Sequence, residues 1–184
     1  MKKQSYSKAT PMSIAAPISL TTMVQAAMIA AIYVVLTYIA NAFALANYAV
    51  QVRFSEALTI LPYFTPAAIP GLLIGCLLSN ILTGCALPDI IFGSFATLLG
   101  ALGTYALRKW KWCAPICPII ANAIIVPLVL IYGYGLLIEG WSVLQCFGYY
   151  CLTVGAGEVI SCGILGMTLL FTLQKYNGKI FGKN

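Results

Sequence analysis

Six apolar segments follow one another along this chain and leave almost no room for charged side chains within them. Only 8% of the 184 residues are Asp, Glu, Lys or Arg, against roughly 25% in soluble domains. A chain with so few charges has no normal polar surface, and it predicts an all-α integral membrane protein. The apolar segments are residues 22–45, 53–63, 67–84, 89–107, 115–137 and 147–173.

We predict that these segments form one bundle of six transmembrane helices over residues 22–173. Residues 1–21 and the basic tail 174–184 are predicted to lie in the cytoplasm. The second segment, 53–63, is about 17 Å long as an α-helix, whereas the hydrocarbon core measures about 30 Å. We therefore expect this segment to be tilted, continued by its flanks or shielded by neighbouring helices.

The placement of the cations predicts the orientation. Nine of the ten cations flank apolar segments, in three clusters: Lys2, Lys3 and Lys8; Arg108, Lys109 and Lys111; Lys175, Lys179 and Lys183. With six spans, all three clusters fall on one side of the membrane, which the positive-inside rule makes the cytoplasm. The pattern predicts an N-in, C-in topology and argues against nucleic acid as the reason for the net charge of +6.

The chain lacks the residues that several kinds of chemistry require. The chain has no His, and its seven Cys residues show no paired zinc-binding spacing. A Gly-rich phosphate loop followed by Lys and Ser or Thr is also missing, so ATP hydrolysis would have to come from another protein. We expect no cofactor, no metal and no enzymatic activity.

Carboxylates in apolar surroundings are the best candidates for function. Glu56, Asp89 and Glu158 lie in or beside apolar segments. A carboxylate there is costly, so it usually faces a cavity, pairs with a cation or binds a ligand. Arg53 lies three residues before Glu56 on the same helical face, and the alternative interpretation is a structural ion pair without a ligand.

Polar residues from several segments share the predicted outer half of the bundle. Asn80 and Asn122 add amides, which both donate and accept hydrogen bonds. Glu158 is expected about 15 Å down the last helix from its outer end. The pattern predicts a pocket for a small polar ligand. Trp141, Tyr149 and Tyr150 lie where a flat ligand could stack near the outer mouth, but most of them are expected in the interfacial aromatic belt.

Small residues recur at four-residue spacing in two segments. Ala26 and Ala30, and Ala27 and Ala31, form two overlapping pairs in the first segment; the third contains Gly71 and Gly75. This spacing lets helices approach closely in lipid. The alanines favour internal packing and an external partner helix about equally.

A long motif adds a family resemblance. Residues 52–72, VRFSEALTILPYFTPAAIPGL, resemble the queuosine-precursor transporter (QueT) family, which are substrate-binding S components of energy-coupling factor (ECF) transporters. Residues 74–76 with Asn80, the run LPDIIFGS at 87–94 and QAAMIAAIYVVLT at 25–37 support the resemblance. It covers residues 22 to about 172.

The resemblance implies a capture subunit for vitamin or micronutrient uptake in a prokaryotic cell membrane. Such a subunit binds its substrate at the outer face and docks on a transmembrane T component driven by two cytosolic ATPases. Ala27 and Ala31, or Ala26 and Ala30, are expected to contact the T component. The implied substrate is a 7-deazaguanine: preQ1, preQ0, queuine or queuosine.

For such a ligand we expect Glu158 or Glu56 at the guanine edge and Asp89 nearer a cationic group or the mouth of the pocket. Arg53, Asn80 and Asn122 are expected to donate hydrogen bonds or support the carboxylates. The alternative function is a stand-alone proton-coupled carrier or channel for a small polar solute.

Overall fold

The computed structural model describes residues 19–43 and 52–180. Every regular element in this part of the chain is helical, which confirms the predicted all-α class. Nearly all of the predicted N-terminal segment, most of the 41–52 connector and the last four residues of the tail lie outside the described residues.

Five α-helices and one buried 3₁₀ helix build the bundle. They are α1 (Leu20–Ala42), the 3₁₀ helix (Phe54–Tyr63), α2 (Ala68–Leu82), α3 (Leu87–Ala106), α4 (Ile116–Leu128, continued by a π-helical turn Val129–Gly133) and α5 (Val143–Glu158, continued through π-helical Val159–Gly166 into Met167–Ile180). A short 3₁₀ turn, Lys111–Cys113, precedes α4. These six helical segments correspond to the six predicted apolar segments.

Four helices of the described chain are long and apolar enough to cross a membrane: Leu20–Ala42, Leu87–Ala106, Lys111–Gly133 and Val143–Tyr176. The apolar helix α2 has 15 residues, about 22 Å at the usual helical rise. The chain is therefore a multi-pass helical protein, whereas the count of six spans and the N-in, C-in orientation stay predictions.

The segment predicted as a short second helix is a ten-residue 3₁₀ helix at the centre of the bundle. Its residues 55–62 are all buried, and it packs against α1, α3 and the π-helical part of α5. Pro62, inside this helix, has no backbone N–H to donate. Neighbouring helices thus shield the segment, as expected for one too short to span.

Helices α1 and α2 approach closely along small residues. A Cβ atom added at Gly75 would lie 2.8 Å from the Tyr33 Cβ and 3.0 Å from the Ala30 Cα. Ala30 is buried, whereas Ala27 and Ala31 are exposed. The doubled alanine motif therefore presents one pair inward and the other outward.

Candidate substrate-binding site

A cavity of about 670 Å³ opens at the end of the bundle where α3 begins and where α1, α2 and α4 end. Its volume lies within the roughly 300–1,000 Å³ of small-molecule pockets. Polar and apolar groups share the wall about equally, and its polar residues are Tyr33, Thr37, Asn41, Arg53, Ser55, Ser79, Asn80, Thr83, Asp89 and Tyr134. Three residues predicted from the sequence, Arg53, Asn80 and Asp89, therefore share one cavity.

Arg53 enters the cavity from the residue just before the 3₁₀ helix. Its backbone N–H donates to the Ser161 Oγ at 3.2 Å, which ties this segment to α5. No carboxylate of the described residues lies within 4.0 Å of its guanidinium, so the alternative ion pair with Glu56 is not formed at that distance. Asp89 and Glu56 are nevertheless near enough to attract its charge.

Asp89 lies in the first turn of α3 and is 6% exposed. The helix N-terminus favours its negative charge. The Tyr134 hydroxyl donates to Asp89 Oδ2 at 3.3 Å and accepts from the Ala86 N–H at 3.0 Å.

Asn80 and Asp89 are held side by side across α2 and α3. The Asn80 Nδ2 lies 3.4 Å from the Asp89 carbonyl oxygen and 3.6 Å from the Cys76 Sγ. A Cβ atom at Gly93 would lie 3.1 Å from Asp89 Oδ1 and 3.4 Å from Asn80 Nδ2. The missing side chain at Gly93 thus leaves room for both polar groups.

Glu56 lies behind the cavity wall rather than on its surface. The buried Tyr33, which lines the cavity, donates its hydroxyl hydrogen to Glu56 Oε1. On the other side, Asn122 Nδ2 lies 3.4 Å from Glu56 Oε2. Glu56 and Asn122 were both expected in the pocket, and in this structure neither lines the cavity.

Glu158 lies in the same buried layer. It is 4% exposed, at the point where α5 becomes π-helical, and its Oε2 accepts from the Cys162 thiol at 3.1 Å. Ligand atoms of Glu56, Glu158 and Cys162 all lie within 4.8 Å of one another. The structure therefore brings together the two carboxylates expected at the guanine edge, but not on the cavity surface.

Residues 23–175 match the protein family described as QueT transporter. The chain belongs to the QueT transporter family. No curated protein and no solved structure matches it. This membership confirms the family resemblance predicted from the sequence, and it places the chain in a family of transporters.

Sequence reasoning missed two tyrosines of the candidate site. Tyr33 is 1% exposed in the middle of α1, and Tyr134 follows the end of α4. A tyrosine far from both ends of a span was the available signal for Tyr33, because interfacial tyrosines concentrate at span ends. The aromatic rings of Trp141, Tyr149 and Tyr150 contact one another and do not line the cavity.

Proposed function

We propose that this chain is the membrane-embedded capture subunit, or S component, of an ECF-type uptake transporter for a 7-deazaguanine queuosine precursor. The observation that carries the proposal is the cavity in which Arg53, Asn80 and Asp89 converge. A cavity of this size with both charges on its wall suits a small, flat, polar molecule better than an ion or a lipid.

The chemistry of a 7-deazaguanine fits these groups. Its ring carbonyl needs a donor, which Arg53 offers; its ring N–H needs an acceptor, which Asn80 offers, and a cationic amino group on its side arm needs the Asp89 carboxylate. Glu56 holds Tyr33 in the wall through the hydrogen bond from its hydroxyl, and Asn122 and Glu158 lie beside Glu56 in the buried layer. If ligand binding displaces Tyr33, Glu56 becomes the next acceptor that the ligand meets.

The exposed alanine pair supports a partner in the membrane. Ala27 and Ala31 lie one helical turn apart on the outer face of α1, while Ala30 packs inward. Small residues on a lipid-facing surface let another helix approach closely. We assign this pair to the contact with the T component, which two cytosolic ATPases drive, and place the cavity at the outer face of a prokaryotic cell membrane.

Calorimetric titration of the detergent-purified chain tests the ligand. We expect submicromolar binding of at least one among preQ1, preQ0, queuine and queuosine, with guanine, riboflavin and thiamine as controls. Absence of binding by every deazaguanine would refute the proposed substrate. Binding of riboflavin or thiamine with equal affinity would refute it as well.

A second candidate function is a stand-alone proton-coupled carrier. The observation that favours it is the buried cluster of Glu56, Glu158 and Cys162. The purified chain in vesicles with an imposed proton gradient separates the two functions. A capture subunit binds ligand but accumulates none without its T and ATPase partners. Gradient-driven accumulation by the chain alone would establish the carrier.

A further inference from the structure

Building on the proposed function, we infer that the cavity selects deazaguanines whose side arm carries a protonated amine over the form whose arm ends in a nitrile. The reason lies in the cavity wall that α2 and the start of α3 contribute. This wall, formed by Ser79, Asn80, Thr83 and Asp89, offers hydrogen-bond acceptors to a ligand and has its donors already engaged.

The hydroxyl groups of Ser79 and Thr83 in this wall already donate their hydrogens to backbone carbonyls. Ser79 Oγ donates to the Cys76 carbonyl at 2.9 Å, and Thr83 Oγ1 donates to the Ser79 carbonyl at 2.7 Å. A hydroxyl has one hydrogen and a carbonyl cannot donate, so the direction of both bonds is fixed. Both oxygens are left with lone pairs only, and the Cys85 thiol lies 3.4 Å from the Thr83 Oγ1, where it can donate to one of them.

The amide and the carboxylate add two more acceptors. The Asn80 amide nitrogen is directed to the Asp89 carbonyl and the Cys76 Sγ, which leaves its Oδ1 to accept. Asp89 Oδ2 accepts from Tyr134, and its Oδ1 accepts no hydrogen bond from the described residues. Ser79 is fully buried, so the acceptors nearest a ligand are those of Asn80, Thr83 and Asp89, and Arg53 is the charged donor of the cavity wall.

A ligand with one carbonyl and several N–H groups satisfies this arrangement. The carbonyl pairs with Arg53, and an ammonium group on the side arm forms a charge-assisted hydrogen bond with Asp89. A nitrile only accepts hydrogen bonds. Placed at this wall, it loses water and gains no donor. Because a hydrogen bond to a charged group contributes about 1.5–3 kcal/mol, we expect about a ten- to hundredfold preference for the amine.

Paired titrations test the inference. The aminomethyl (preQ1) and cyano (preQ0) deazaguanines share one ring system, so the ratio of their Kd values isolates the side arm. We expect preQ1 to bind about ten- to a hundredfold more tightly. Asp89→Asn removes the charge at constant size and should bring the ratio close to one. Glu139→Gln is the matched control, since this exposed carboxylate lies outside the cavity wall.

A second pair of variants tests the neutral acceptors. Thr83→Val removes a wall oxygen, and the Ser79 carbonyl keeps its bond from the Thr83 N–H. Thr168→Val is the control, because the exposed Thr168 makes the same kind of bond, to the Ile164 carbonyl, on α5. We expect weaker preQ1 binding in Thr83→Val and wild-type binding in Thr168→Val.

The possible outcomes distinguish a failure of this inference from a failure of the proposed function. Equal or tighter binding of preQ0 to the wild-type chain overturns the inference and leaves deazaguanine capture intact. A preference for preQ1 that survives Asp89→Asn overturns the role of the acceptor wall. No binding of either compound overturns the substrate proposal itself.

Discussion

Gly71 and Ala26 meet backbone to backbone: a Cβ atom added at Gly71 would lie 2.7 Å from the Ala26 carbonyl oxygen. One turn further along, Gly75 makes the same kind of contact with Ala30 and Tyr33. The seam between α1 and α2 therefore holds the tyrosine that covers Glu56. Packing of these helices depends on both glycines, and the position of Tyr33 in the cavity wall depends on Gly75.

Gly75→Ala should lower both stability and ligand affinity, because the new methyl group would displace Tyr33 or Ala30. Overpacking of this kind typically costs about 1–3 kcal/mol. Thermal unfolding in detergent and calorimetry give the two readouts. Gly148→Ala is the control, since it lies in α5 with nothing within 4 Å of the added carbon. A fully stable Gly75→Ala chain would mean that the seam is looser than described.

The two alanine pairs should give opposite phenotypes. Ala27→Leu with Ala31→Leu adds bulk on the exposed face, so ligand binding should persist while uptake with the T component and ATPases is lost. Ala26→Leu with Ala30→Leu adds bulk to the seam with α2 and should prevent folding. Binding assays on purified protein and uptake assays in cells check both. Normal uptake by the first variant would exclude this face as the partner contact.

Tyr33→Phe should destabilise the bundle, because it leaves a buried oxygen of Glu56 without its donor. The expected cost is about 1–3 kcal/mol of unfolding free energy. Tyr38→Phe is the matched control on the same helix, where an exposed hydroxyl donates to the Leu82 carbonyl. Denaturant titrations compare the two variants. Equal stabilities would show that Glu56 does not depend on this hydroxyl.

Glu158→Gln and Asp89→Asn should differ in their effect on preQ1 affinity. Asp89 lines the cavity, whereas Glu158 lies in the layer behind it, beside Cys162. We expect a loss of about tenfold or more for Asp89→Asn and a clearly smaller loss for Glu158→Gln. Calorimetry measures the preQ1 affinity of both variants, and circular dichroism verifies that each is folded. A larger loss of affinity in Glu158→Gln than in Asp89→Asn would indicate that Glu158 contacts the ligand directly.

Much of the helical layout could be predicted, because apolar runs are separated by polar and Pro- or Gly-containing connectors. Hydropathy does not report the hydrogen-bond register inside a helix, however. The 3₁₀ geometry of Phe54–Tyr63 and the π-helical turns at Val129–Gly133 and Val159–Gly166 therefore had no sequence signal. The register of the alanine motif was equally open, since adjacent residues differ by only about 100° around a helix.

The charged residues of the candidate site could be predicted from the sequence, because charged residues are rare in this chain. Arg53 and Asp89 stand out in apolar surroundings, and both reach the cavity. How deeply each carboxylate lies behind the cavity wall could not be predicted. Glu56 and Glu158 look like pocket residues in the sequence, yet the hydroxyl that covers Glu56 comes from Tyr33 on another helix. Such a layering depends on which helix faces meet, and one sequence does not encode that visibly.

Membrane insertion of the 3₁₀ helix depends on its neighbours. Phe54–Tyr63 is about 20 Å long at the 3₁₀ rise, and it carries the Glu56 carboxylate. A segment that is short and acidic is not stably inserted by its own hydrophobicity. We expect it to reach its final depth only after α1, α3 and α5 have formed the surrounding walls. The last step of biogenesis would then complete the candidate cavity, whose wall includes Arg53 and Ser55 from this part of the chain.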